Sequence, residues 1–163
     1  AFYGYYDSKE ALFAALVDEP YRHVLETDRT AVFGFEALRP EEQVTQMGQV
    51  GKNCMQELLV YMDARRPVFR LILQGAEGTP YAGLIDELVA MEVAATERYC
   101  EVLRSLGSAV PQIDPRLEHM LVTGMMTAYC EVILHDMPLA DAQRYVEELG
   151  DFYTAGWLKI MGQ

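Results

Sequence analysis

The sequence predicts an all-α protein, and three observations carry that prediction. Apolar residues recur at three- and four-residue steps along most of the chain, as in Leu84, Leu88, Met91, Ala95, Tyr99, Val102 and Leu106. No segment shows the alternate-residue pattern of a half-buried strand, and no internal repeat stands out. Prolines and glycines fall where helices start and stop: Pro40, Gly107, Pro115 and Pro138 all bound periodic segments. At 163 residues the chain is long enough for one sizeable core and too short for two comfortable domains.

The first helix is expected from Ser8 to about Arg29, with Leu12, Phe13, Leu16, Val17, Val24 and Leu25 on one face. Asp7 or Ser8 can cap its start, and Asp7 with Glu10 has the spacing of a capping box. Pro20 removes a backbone donor within this pattern, so a kink or a division is expected there. From Thr27 to Arg39 the pattern is mixed, with Gly34 among phenylalanines, and reads as a loop. Pro40 has the look of a first-turn proline, with Glu41 and Glu42 well placed for the positive end of a helix. That helix carries Val44, Met47, Gly51, Cys54, Met55, Leu58 and Met62 and is expected to run to about Asp63.

Arg65-Arg66-Pro67 breaks the run, and Val68 to Leu73 makes a short, almost wholly apolar helix. Gly75, Gly78 and Pro80 mark a turn, after which Tyr81 to Leu106 is the clearest amphipathic helix, stopped by Gly107. Asp114-Pro115 restarts the chain as cap and first-turn proline, and a helix follows to about His135. A turn bearing Pro138 joins it to a last helix ending near Met161, which makes an antiparallel hairpin of two long helices.

Composition narrows the function. No stretch approaches the roughly 20 apolar residues of a membrane span, and no basic run leads into an apolar segment as in a secretory signal. Three widely spaced cysteines do not suggest a disulfide framework, which fits a reducing, cytoplasmic setting. A formal charge of −12 argues against a broad nucleic-acid grip by these residues, because phosphate binding needs clustered Lys and Arg.

The opening residues nevertheless point to DNA. Phe2-Tyr3-Gly4-Tyr5-Tyr6-Asp7-Ser8-Lys9-Glu10-Ala11-Leu12-Phe13 packs four aromatics ahead of a helix start. This joint resembles the end of the DNA-binding domain in TetR/AcrR-type transcriptional regulators, where an aromatic run closes the reading helix and Ser-Lys-Glu-x-Leu opens the next one. The motif covers residues 1–13, and helix order and length extend the resemblance over the rest. It implies that residues 1–29 are the end of a helix-turn-helix head, most of it upstream of Ala1, and that residues 30–163 are an effector-binding and dimerisation body. Basic groups would then belong to the missing head.

The resemblance also implies roles for particular residues. Tyr3, Tyr5 and Lys9 would contact operator DNA, chiefly backbone phosphates, which set register without reading sequence. Met47, Met55, Phe69, Leu73, Met91, Tyr99, Met125 and Tyr129 would line an effector pocket, where flexible thioethers suit varied apolar ligands. Glu92, at the head of the four-residue series Glu92, Thr96, Cys100, would add polarity to that pocket, or would face solvent. The last two helices would pair with those of a second subunit through Gly124, Ala128, Gly150, Tyr153, Gly156 and Trp157, small residues letting helices approach closely.

Catalytic and metal chemistry find little footing. The chain has no nucleophile elbow, no phosphate-binding glycine loop and no CxxC. Histidines 23, 119 and 135 are scattered, although Glu131 and His135 can pair across one turn; no metal or cofactor is expected. Cys100 and Cys130 stand beside Glu101 and Glu131, which disfavours a thiolate, so buried structural cysteine is the better reading. The expectation is a non-enzymatic, homodimeric, ligand-responsive DNA-binding regulator: a repressor released from its operator by a small apolar or amphipathic effector. A helical carrier that sequesters a small molecule without touching DNA is the alternative.

Overall fold

A computed structural model describes residues 6–163, and every described element is helical. Ser8 caps the first helix, α1 (Lys9–Glu36), its hydroxyl accepting from Ala11 N at 3.1 Å. The expected loop over 27–39 does not form until the very end of that range. Val17, Tyr21, Val24, Leu25 and Asp28 are buried on one face, and Ala31 and Phe35 prolong that stripe against the core. Packing of this face outweighs the propensity cost of Gly34, and the helix also continues undivided through Pro20. Residue 29, the expected end of the head, therefore lies inside an unbroken helix about 42 Å long.

The single helix expected from Pro40 to Asp63 is two: α2 (Pro40–Gln46) and α3 (Gln49–Asp63). Gly48 divides them at φ +83°, a left-handed conformation open to glycine. An alanine Cβ there would fall 2.5 Å from Thr154 Oγ1 of the last helix, so Gly48 also permits close approach. Gly48→Ala is expected to lower stability by about 1–3 kcal/mol in urea unfolding, from the backbone strain alone.

Arg65 leads into α4 (Arg66–Gln74), followed by α5 (Leu84–Ser105), α6 (Pro115–Leu134) and α7 (Leu139–Ile160). Asp114 caps α6 through Arg116 N at 2.9 Å, and Gly107 ends the α5 region at φ +89°. Arg66 holds the α6–α7 turn: its guanidinium donates to Val132 O and Met137 O while paired with Asp63. Arg70 pairs with Asp136, the one described non-glycine residue with positive φ, so α4 fixes the hairpin's tip.

Helix α1 packs against α3, α4 and α5, α3 packs against α7, and α5 and α7 flank α6. The core gathers Val17, Leu59, Met62, Phe69, Leu103 and Ile133, all nearly or wholly inaccessible. No helix among the described residues is long and apolar enough to cross a membrane.

Candidate functional site: a cavity walled by two carboxyls

Where α1, α3, α5, α6 and α7 meet they leave a cavity of about 180 Å³. Helix α1 contributes Asp28, Ala31, Val32 and Phe35, and α5 contributes Glu92, Ala95, Thr96 and Tyr99. The α2–α3 junction and α3 supply Met47, Gly48, Cys54 and Met55; α6 supplies Met125 and Met126; α7 supplies Thr154 and Trp157, with Met161 just beyond its end. Phe35 and Tyr99 meet edge to face at 5.6 Å between ring centres. The walls are thus aromatic, thioether and aliphatic, with two carboxyls among them.

Asp28 is only 6% exposed, and its Oδ2 takes no hydrogen bond from any donor. Its side-chain partner is the Glu92 carboxyl, reaching from α5. Burial raises both; the Glu92 carboxyl's hydrogen bond partly offsets the rise at Asp28, which reaches about 6, while the Asp28 charge adds to the rise at Glu92, which reaches about 8. No guanidinium lines the cavity. Lys52 is its one basic residue, and that ammonium is turned to α7, 2.7 Å from Glu147 Oε1 and 2.8 Å from Asp151 Oδ1.

The titration has a consequence for stability. An unfolded chain releases these two protons near pH 4, whereas the folded protein keeps them until the pair's raised range. The folded state is therefore favoured most below about pH 4, and that advantage is lost as pH rises through 6 to 8. Glu92→Gln is expected to raise the melting temperature by about 4–8 °C at pH 8, for a gain of about 2 kcal/mol, and to leave it unchanged at pH 4. Calorimetry at the two pH values checks this.

The structure brings together Met47, Met55, Glu92, Tyr99 and Met125 from the expected pocket set. Phe69 instead sits at 0% exposure in the core, packed edge to face on Tyr61. Leu73 and Met91 are half-buried against the same core, off the cavity wall. Tyr129 lies behind the wall, its hydroxyl donating to Met55 O at 2.7 Å. Asp28 was not anticipated, because it falls where the expected end of the first helix overlaps the expected loop; along the continuous α1, Tyr21, Val24, Asp28 and Phe35 fall on one stripe. Cys54 does line the cavity, but burial pushes its thiol to about 12, and Cys130 likewise. Among the described residues no group of His, Cys, Asp and Glu side chains could hold a metal ion.

A second feature is an uncovered apolar stripe on the α6–α7 hairpin. Met120 is 68% and Phe152 72% exposed, with Leu117 and Tyr145 also open, and Gly124 and Gly156 are exposed on the same two helices. Ala128 and Tyr153 are half-buried; the Tyr153 hydroxyl leans over Gly124, where an alanine Cβ would meet it at 3.1 Å. Gly150 and Trp157, expected on this face, point the other way. They share the inward phase of Ala142, Val146 and Met161, with Gly150 against the Lys52 side chain and Trp157 on the cavity wall. Tyr3 and Tyr5 lie outside the described residues, and Lys9 is exposed at the first turn of α1.

Comparison with protein-family models, curated proteins and solved structures returned no match for this chain.

Proposed function

We propose that this chain is the effector-binding and dimerising body of a ligand-responsive DNA-binding regulator, a repressor released from its operator when the cavity fills. The observation that carries this reading is the reach of α1. One continuous helix starts at Lys9, directly after the aromatic motif of residues 2–6, and ends as a wall of the cavity through Asp28 and Phe35. A guest that alters how α1 sits against α5 and α3 is thereby connected to whatever precedes residue 9.

In this reading Tyr3, Tyr5 and Lys9 contact operator phosphates, and two copies join through the α6–α7 stripe. Reading helices of a dimer enter successive major grooves about 34–36 Å apart. An effector that prefers a body with another head spacing favours release, by no more than its differential affinity for the two states. The reading assigns no catalysis and a cytoplasmic location.

The test uses the full-length natural protein bound to a duplex it selects from random sequence. Small apolar and amphipathic compounds that enter the cavity are expected to weaken duplex binding at least about tenfold, equivalent to about 1.4 kcal/mol of coupling. Compounds that fill the cavity and leave duplex affinity unchanged would favour the carrier reading, which the net charge of −12 also suits.

A further inference from the structure

The cavity holds more information about its guest than size and apolarity. Two carboxyls line it from the adjoining helices α1 and α5, Asp28 nearly wholly buried, and no basic side chain answers them, since Lys52 is committed to Glu147 and Asp151. Buried carboxylates in proteins are paired with a cation or are kept protonated at a cost. Here Oδ2 of Asp28 lacks any donor, and the remaining wall is mostly aromatic rings, thioethers and aliphatic groups, with the Thr96 and Thr154 hydroxyls and the Trp157 indole as its uncharged polar groups. Phe35, Tyr99 and Trp157 add aromatic rings to the same wall, and a ring face attracts a cation.

We infer that the cavity takes an organic cation: a protonated amine on a compact aromatic or aliphatic body, its N–H groups donating to Asp28 and Glu92. The inference rests on the effector-binding reading of this cavity and adds the chemical class of the guest. A cavity of about 180 Å³ suits a guest of single-ring size, because one of about 150 Å³ can hold benzene. An anion would meet two carboxyls with no counter-charge. A neutral guest would bring no charge to offset an ionised Asp28.

The sole tryptophan, Trp157, lies on the wall and reports occupancy by its fluorescence. Three probes of matched size separate the possibilities: 2-phenylethylammonium, 2-phenylethanol and 3-phenylpropanoate, titrated at pH 8 with calorimetry as a second readout. The cation is expected to bind at least about tenfold tighter than the alcohol, and the anion not to bind. In Asp28→Asn and Glu92→Gln, both isosteric, cation affinity is expected to fall at least about tenfold toward that of the alcohol, with melting curves confirming folded protein. Equal or tighter binding of the alcohol, binding of the anion, binding of none of the three, or variants that keep the cation preference would overturn the inference. Failure of the regulator reading looks different: the cation binds, and duplex affinity of the full-length protein does not change. If instead a neutral or anionic compound releases the duplex, the regulator reading stands and the cationic guest is wrong.

Discussion

The Phe152→Glu variant is expected to sediment as a single 18.4 kDa chain at concentrations where the parent protein is expected to sediment at twice that mass. Phe152 is the most open large apolar side chain described and stands two turns after Tyr145 on α7, while Met120 and Leu117 are the open apolar side chains of α6. The proposed twofold contact is isologous, so each substitution places two carboxylates in one apolar seam. Central aromatic anchors of an interface cost about 2–4 kcal/mol when truncated, and an unpaired buried charge adds to that. Dimer affinity is expected to drop at least about 100-fold. The monomeric fold is expected to survive, because the parent side chain touches little of its own core. Sedimentation equilibrium of both proteins decides it; a parent that is already monomeric at the highest concentrations would remove the dimer from the account.

Phe69→Ala has the other large expected effect, on stability. Phe69 is wholly inaccessible, packs on Tyr61, and anchors the short helix α4 to the core. Truncating a buried phenylalanine costs about 3–5 kcal/mol through lost burial and the cavity left behind. Domains of this size hold about 5–15 kcal/mol in all, so a large share of the folded margin goes. The urea midpoint is expected to fall accordingly. Since Phe69 is off the cavity wall, probe binding by the fraction that remains folded is expected to be unchanged. A stable Phe69→Ala protein with altered probe binding would instead place Phe69 at the site.

The fold was largely legible because helical periodicity and its punctuation are local signals. Asp114-Pro115, Gly107 and Pro138 mark ends that the structure keeps. Two misreadings have physical causes. Gly34 and the mixed residues after Thr27 looked like loop, yet the buried stripe from Val17 to Phe35 outweighs local propensity. Gly48 looked like one more helical residue, and only the approach of Thr154, distant in sequence, shows why the chain turns there.

The cavity was half legible. Methionines and Tyr99 on the right helices were readable, whereas Asp28 fell in the overlap of the expected first helix and the loop after it and was not assigned to a face. Had Asp28 been placed in phase with Tyr21 and Val24, a carboxylate on an inward stripe would have stood out. For α7 the phase matters equally: Trp157 lies seven residues after Gly150 and both face inward, while Phe152 faces out. Small residues alone did not distinguish the two faces.

The central claim is that α1 links this body to a DNA-reading head, and selection from a random duplex library by the full-length natural protein tests it most directly. The account predicts enrichment of a twofold-symmetric site whose half-sites lie about one helical turn apart, bound by a dimer. A library that emerges unenriched, with no duplex bound above background, would contradict it.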